Sequence, residues 1–169
     1  MRKLLHILAL AALAILLGIT YGALYGPNHL TGRIPTHFGL DGQPNAWGEP
    51  KMLLMLPAVA AFLYLIMTVA SRFPGAFNYP VRVTAQNRPR LQRIALNMIA
   101  WLSAETVTLF AALQYFIVQA VRTRHNGLPP ALMLIAIVLI FFTMALHIAA
   151  MRRAARPPPV FHRVNFQNQ

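Results

Sequence analysis

The chain has 169 residues, of which 57% are hydrophobic and only 11% charged, with a net charge of +12 and no cysteine. Soluble domains carry roughly a quarter charged residues, so this composition indicates a protein embedded in lipid. The absence of cysteine excludes disulfides, thiol nucleophiles and thiolate metal sites. Nucleic-acid binding is not expected, because the basic residues gather between apolar runs and form no continuous basic face.

Four apolar runs are long enough to cross a membrane as helices, which requires about 20 residues each. They do not alternate as the strands of a membrane barrel do. We therefore expect an all-α membrane protein with a single domain over residues 1–151, followed by a basic, proline-containing tail over 152–169. The predicted bundle has four transmembrane helices, at 4–25, 52–71, 94–121 and 131–151.

The first run follows Arg2 and Lys3, as the apolar part of a secretory signal would. That part has about 7–15 residues in signal peptides. The run of 22 residues is longer, and Tyr21 is too bulky for cleavage after Ala23. We expect it to remain as a membrane anchor.

Lysine and arginine are unevenly divided between the connecting segments. The N-terminus, the second loop and the tail carry 11 of them, and the first and third loops carry 4. Because positive charge is retained on the cytoplasmic side, both ends are predicted to be cytoplasmic. The predicted location is the bacterial inner (plasma) membrane, with the first loop, 26–51, outside it.

The first loop is rich in glycine and proline at spacings typical of turns. Residues 33–38 are predicted to be extended, Asp41 and Gly42 to turn, and Ala46 and Trp47 to return antiparallel. This predicts a folded extracytoplasmic loop with Trp47 packed down at the membrane interface. Histidines and acids occur in the loop without a tight ligand spacing, so we expect no metal and no cofactor.

Small residues recur every four positions on the first helix, at Gly18, Gly22 and Gly26. Such a stripe lets two helix backbones approach closely. We expect it to pack against another helix of the same chain. A homo-oligomer formed through this stripe is the alternative.

The third helix carries polar residues at steps of three and four, which place them on one face. This intramembrane polar stripe consists of Asn97, Trp101, Glu105, Thr108, Tyr115 and Gln119, with Ala112 among them. Polar residues in a membrane helix are expected to face the bundle interior. Glu105 lies eleven residues from the inner end, or about 16 Å by helical rise. We expect it to be protonated and to bond to Tyr64, Thr143 or a buried water, in either a structural or a proton-transfer role.

The second loop, 72–93, is basic and contains prolines and aromatic residues. We expect it to lie on the anionic inner leaflet, where it is also a candidate docking site for a protein partner. The tail is expected to be extended or disordered.

The string IPTHFGLDGQPNAWGEPK, at 34–51, resembles the signature of the SdpI-like immunity-protein N-terminal domain family, also described as domain of unknown function 1648. The resemblance covers about Tyr25 to Ser71. Asn45 stands where the family often has aspartate, and Pro50 interrupts the approach to Lys51. The residues that carry it are Pro35, His37, Phe38, Gly42, Pro44, Asn45, Trp47, Gly48 and Lys51.

The resemblance implies a loop between the first two membrane helices. It also implies kinship with immunity proteins that bind an extracellular peptide toxin and can sequester a repressor at the membrane. No G-x-S-x-G, H-E-x-x-H or phosphate-loop motif occurs, so no enzymatic activity is expected. The first hypothesis is an inner-membrane binding protein with the outer loop as its recognition surface and the basic inner loop as its output surface. The second is an accessory subunit of a larger membrane complex, and the third is a proton-coupled transporter that uses Glu105.

Overall fold

The computed structural model describes residues 1–39, 41–123 and 127–156, so the tail prediction beyond 156 lies outside the described residues. The helices are α1 (Arg2–Tyr25), α2 (Met55–Ala70), α3 (Arg88–Thr123) and α4 (Pro130–Ala154). Strands β1 (Ile34–Phe38) and β2 (Pro44–Gly48) lie between α1 and α2, and the 3-10 turns are Pro50–Leu54 and Pro74–Ala76.

Four helices in the described part of the chain are long and apolar enough to cross a membrane, which confirms that part of the prediction. The first 3-10 turn runs directly into α2, giving a continuous helical segment of 21 residues at Pro50–Ala70. The most apolar stretches of the four segments have mean hydropathies of 2.4, 2.3, 1.5 and 2.7 in chain order. The lowest value belongs to α3, which carries Glu105.

Helix α3 begins six residues earlier than the predicted span at 94. Thr84 and Asn87 exchange hydrogen bonds: the Thr84 backbone N–H donates to Asn87 Oδ1 at 2.8 Å, and the Asn87 N–H donates to Thr84 Oγ1 at 3.3 Å. This reciprocal pairing is the capping-box arrangement, which satisfies N–H groups at a helix start. Part of the predicted basic loop therefore forms the first turns of α3.

Helix α3 lies at the centre of the molecule and packs against α1, α2 and α4, whereas α4 packs mainly against α3. Its 36 residues extend about 54 Å by helical rise. The hydrocarbon core of a bilayer is about 30 Å thick, so both ends of α3 extend into the headgroup layers or beyond.

Alanines, and not the glycine stripe, make the close contact between α1 and α3. A Cβ added at Gly18 or Gly22 would meet nothing within 4 Å, so neither glycine is in close contact with another helix. Gly26 follows the end of the helix, and a Cβ added there would lie 2.5 Å from the carbonyl oxygen of Gly22 in the same helix. The prediction that this stripe packs within the chain is therefore wrong. The buried face of α1 instead holds alanine, leucine and threonine side chains, and van der Waals packing between such faces favours association of membrane helices. Its residues are Leu5, Ala9, Ala12, Leu16, Thr20 and Ala23.

The predicted orientation can be tested with single cysteines, because the chain has none of its own. An impermeant thiol reagent applied to intact cells should label Gln43→Cys and should label Gln86→Cys only after permeabilisation. Gly127 is a poor labelling site, since its φ of +155° and a Cβ position 3.0 Å from the Gly42 carbonyl oxygen disfavour any side chain. Labelling of Gln86→Cys alone in intact cells would reverse the orientation.

Candidate functional site

Strands β1 and β2 form an antiparallel hairpin, which we call the hairpin cap (residues 34–48). Its turn contains Gly42 at φ 77°, a left-handed conformation that glycine adopts without steric cost. Beside it, Asp41 Oδ1 accepts a hydrogen bond from the Gln43 N–H at 3.0 Å. The register is Ile34 with Gly48, Pro35 with Trp47, His37 with Ala46 and Phe38 with Pro44, with irregularities on either side of His37.

The hairpin cap is fixed to one end of the helices by an apolar side chain and a backbone hydrogen bond. Ile34 is 1% exposed and belongs to a buried cluster drawn from α1, α3, the 3-10 turn before α2 and the connection between α3 and α4. At the turn, the Leu128 N–H donates to the Gly42 carbonyl oxygen at 2.9 Å. The other buried members of the cluster are Ala23, Leu53, Ile117, Val118 and Leu128.

The nine family-like residues divide into a packed set and an exposed set. Pro35 and Gly42 are buried, and Phe38, Pro44 and Gly48 are half-buried. A Cβ on Gly48 would lie 2.8 Å from the Thr36 Cγ2 atom, so glycine permits this strand contact. The exposed residues are His37, Asn45, Trp47 and Lys51.

Polar contacts hold the exposed set in place. His37 Nδ1 donates to Asn45 Oδ1 at 2.5 Å, and Arg33 Nη2 donates to the Trp47 carbonyl oxygen at 2.7 Å. The Trp47 side chain is 43% exposed, so the prediction that it packs down on the helices is wrong. Ile34 fills that position instead, because its side chain points to the helical face of the hairpin.

Lys51 forms an exposed ion pair with Glu49 at 2.6 Å. The hydrogen bond from Lys51, together with its charge, lowers the pKa of the Glu49 carboxyl. A lowered carboxyl pKa contributes stability that is present above the unfolded-state pKa and is lost as the pH falls through the folded-state pKa. With both side chains exposed, the contribution is small and is screened by salt.

Glu105 lies near the middle of α3 and bonds to α4. Thr143 Oγ1 donates a hydrogen bond to Glu105 Oε1 at 2.5 Å, and Oε2 is buried with no hydrogen-bond partner among the described residues. Thr143 was one of the expected partners, although the hydroxyl is the donor. Tyr64, the other expected side chain, is instead 3.2 Å from His6 Nδ1 through its hydroxyl oxygen.

The polar stripe as a whole does not face the bundle interior. Trp101, Thr108 and Tyr115 are exposed, while Asn97 and Gln119 are half-buried. The Gln119 side-chain amide donates to the Tyr115 hydroxyl on its own helix, at 3.1 Å. The predicted orientation is therefore wrong for this face. Alanines on the opposite face of α3 allow α1 to approach closely, and that contact turns the polar stripe away from α1 and α2.

A groove of about 520 Å³ lies between α1, α3 and α4 beside this stripe. Leu8 lines it from α1 and Ile135 and Leu139 from α4, while Glu105 and Thr108 add polar groups from α3. The groove is thus an apolar site with one carboxyl, which suits a lipid chain or an apolar helix with a hydrogen-bonding group.

Substitutions at Glu105 should measure how much its bond to Thr143 contributes to stability. Glu105→Gln retains an oxygen for the Thr143 hydroxyl, so stability is expected to change by less than about 0.5 kcal/mol. Glu105→Leu removes the acceptor and should cost about 1 kcal/mol. Thermal unfolding in mild detergent measures both, with Thr143→Val completing a double-mutant cycle. Equal losses for Gln and Leu would show that the bond to Thr143 contributes nothing.

Gln114 is a buried polar residue that the sequence did not single out. It is fully buried, and its Nε2 donates to Thr20 Oγ1 at 2.9 Å and to the Leu53 carbonyl oxygen at 3.2 Å, joining α1, α3 and the start of α2. It lies nine residues after Glu105, half a rotation away on the helix. The available signal was the row of small residues on the same face: Ser103, Ala104 and Ala111.

No group of three or more metal-ligating side chains occurs within residues 1–39, 41–123 and 127–156. Residues 7–61 match the model of the family described as domain of unknown function, DUF1648. This segment is similar to the DUF1648 family. The matched segment runs from the second turn of α1 through the hairpin cap into α2, and contains all nine residues that carry the resemblance. The predicted resemblance to this family is confirmed over these residues, and kinship with immunity proteins stays a prediction.

An uncharacterized protein of Archaeoglobus fulgidus is 34% identical to the chain over 84 residues. The alignment covers 45% of this chain and 43% of the relative, so the chain matches less than half of that relative's length. No solved structure matches the chain. The DUF1648 match therefore connects the chain to a family whose description names no activity.

Proposed function

We propose that this chain is a non-enzymatic membrane binding protein of the immunity or sensor kind, with the exposed face of the hairpin cap as its recognition surface. The observation that carries the proposal is the division of the hairpin into two faces. One face is held in the apolar cluster around Ile34, while His37, Asn45 and Trp47 point away from it and are exposed. None of these three side chains is needed for the packing of the helices.

Hydrogen bonds hold the side chains of this surface in place, which favours ligand binding. The His37–Asn45 and Arg33–Trp47 hydrogen bonds fix the surface before a ligand arrives, which reduces the entropy lost on binding. Tryptophan and arginine are also the residues most often found at energetic hot spots of protein interfaces. A peptide or protein with an apolar side chain for Trp47 and an acidic group for Arg33 fits this chemistry.

A backbone hydrogen bond also connects the hairpin cap to the segment that leads into α4. The turn of the hairpin cap bonds to Leu128, in the connection between α3 and α4. A ligand that shifts the hairpin would therefore act on the start of α4. In the orientation proposed here, with the hairpin outside and both ends in the cytoplasm of a bacterial cell, α4 leads to the basic surface as the output.

Site-specific photo-crosslinking in intact cells tests the proposal. A photoreactive residue at Asn45 should give a discrete adduct with an external peptide or protein, and the same residue at Gln86 should not. Trp47→Ala in the same chain should remove the adduct while the purified protein keeps its thermal midpoint. Absence of an adduct at Asn45, or its survival in Trp47→Ala, would contradict this function.

An accessory-subunit function is the second candidate, and the packing of α4 favours it. Only 6% of the apolar window of α4 is buried, compared with 33% for α3. A helix of a larger complex could pack beside α4 along the groove that contains Glu105. A photoreactive residue at Leu139, which lines this groove and is 49% exposed, would then give a stoichiometric adduct with one membrane partner, and that partner would co-purify in mild detergent.

A further inference from the structure

We propose that the arginine-rich end of the bundle, opposite the hairpin cap, holds a binding site for a phosphate group. A cavity of about 600 Å³ lies there between the loop that precedes α3, the first turn of α3 and the end of α4. Three arginines from these separate segments line it: Arg82, Arg90 and Arg156. Thr84, Gln86 and Asn87 complete its polar lining.

The site is built on a fixed part of the backbone. The exchange between Thr84 and Asn87 caps α3, and Asn87 Nδ2 donates a further hydrogen bond to the Arg82 carbonyl oxygen at 3.0 Å. Arg82 is thereby tied to the helix turn that carries Arg90. The end of α4 is brought alongside by a separate apolar cluster, formed by Leu91, Ala95, Met151 and Ala154.

Among the described residues, no acidic side chain pairs with the arginines of the cavity. The whole chain has three acidic residues, of which Asp41 and Glu49 lie in the hairpin loop. Glu105 is 15 residues from Arg90, or about 22 Å along α3. Within the described residues the single ion pair is Glu49 with Lys51, and the three guanidinium groups in the cavity make no hydrogen bond to the protein.

The direction of α3 makes this arrangement unfavourable without an anion. The N-terminal end of a helix carries a partial positive charge, so cations there are destabilising and anions stabilising. Arg88, Arg90 and Arg93 all lie in the first two turns of α3, and no acidic residue accompanies them. An anion in the cavity would satisfy both the guanidinium groups and the helix end.

Membrane topology explains why many arginines lie at this end of the bundle. It does not explain why three of them line one cavity. The positive-inside rule requires only that basic residues lie on one side of the membrane. Arg72 fits that simple role, since it does not line the cavity, although all four arginines are exposed. Three arginines that line one cavity are instead suited to the oxygens of a phosphate, which arginine can bind with two parallel hydrogen bonds.

The position along α3 allows a lipid phosphate to reach the cavity. Because α3 is longer than the hydrocarbon core is thick, its first turns lie in the headgroup layer or beyond it. The ligand is therefore the phosphate of an anionic lipid headgroup or of a soluble phosphate compound. Either source presents the same chemical group to Arg82, Arg90 and Arg156.

Native mass spectrometry of the full-length protein in mild detergent tests the site. Phosphatidylglycerol, titrated against the protein, should bind with at least tenfold higher affinity than phosphatidylcholine. The combined variant Arg82→Gln, Arg90→Gln and Arg156→Gln should weaken that binding by roughly 100-fold, since each arginine near a lipid phosphate contributes on the order of fivefold. Inorganic phosphate, added at millimolar concentration, distinguishes the sources: displacement of the lipid assigns the site to soluble phosphate, and retention assigns it to the headgroup.

The matched control removes three charges elsewhere at the same end, with Arg2→Gln, Lys3→Gln and Arg72→Gln. This variant should keep its affinity for phosphatidylglycerol within about threefold of the parent, since none of its changes lies in the cavity. Equal weakening in the two variants would overturn the proposal, because net charge alone would then explain the binding.

A second variant keeps the test decisive if the charge-removing variant does not fold. Arg82→Lys with Arg90→Lys retains the charge and loses the paired hydrogen bonds of the guanidinium. Circular dichroism and a monodisperse elution profile establish that it is folded. Its affinity for phosphatidylglycerol should fall several-fold, and an unchanged affinity would contradict a built phosphate site.

Discussion

Ile34→Ala is expected to lower the free energy of unfolding of the hairpin cap by about 2–4 kcal/mol, because it removes a side chain that is buried in an apolar cluster. Ile34 is 1% exposed and contacts residues from several helical segments at once. Its loss should release the hairpin from the helices while the helices themselves remain folded. Limited proteolysis of the purified protein should then cleave near the hairpin turn at least tenfold faster.

Trp47→Ala is the matched control for that prediction. Trp47 is 43% exposed, so its removal should change the free energy of unfolding by less than about 1 kcal/mol and leave the cleavage rate near that of the parent. The two variants therefore separate anchoring from recognition within one hairpin. A hairpin as resistant to cleavage in Ile34→Ala as in the parent would show that it is held by its turn alone.

Gln114→Leu is expected to destabilise the bundle by about 1–3 kcal/mol, with little change in packing volume. The substitution removes the donor to the Leu53 carbonyl oxygen and to Thr20 Oγ1. Thr20 keeps its own bond to the Leu16 carbonyl oxygen, whereas Leu53 loses its side-chain partner in a region that excludes water. Thermal unfolding in mild detergent, followed by circular dichroism, measures the loss.

Gln119→Leu is the corresponding control on the same helix. Its amide bonds only to Tyr115, at the exposed surface and one turn away. The change should therefore stay within about 0.5 kcal/mol. Equal losses for Gln114→Leu and Gln119→Leu would mean that the buried amide does not join the three elements as its contacts indicate.

The apolar pattern of the sequence was sufficient to predict the four helices, because a segment that crosses lipid must be long and uncharged. The same pattern was not sufficient to predict which face of each helix points toward the other helices. The spacing of Glu105 and its neighbours identifies which residues share a face of α3, but the closest contact decides which face turns inward. That contact depends on residues such as Ala9 and Ala100, which share one buried cluster but belong to different helices, so neither helix alone reveals it.

A single polar residue in the sequence was harder to interpret than a repeated pattern of residues. Gln114 is a single amide in an otherwise apolar face, and its importance comes from two partners that lie 94 and 61 residues away in the chain. The start of α3 was placed too late because Arg88, Arg90 and Arg93 indicate a loop by charge, whereas the hydrogen bonds of Thr84 and Asn87 decide the start locally.

The attachment of the hairpin has a consequence for how this family segment can exist in other proteins. Residues 7–61 include the hairpin, yet Ile117, Val118 and Leu128, which hold it, come later in the chain. The same is true of Gln114, which supplies the side-chain donor to Leu53. The segment is therefore not an autonomous module: excised by itself it would expose the apolar side of its own hairpin. A longer protein that carries this segment would need an equivalent of α3. The smallest part of the chain that could fold in another protein is therefore larger than the segment that the family model matches.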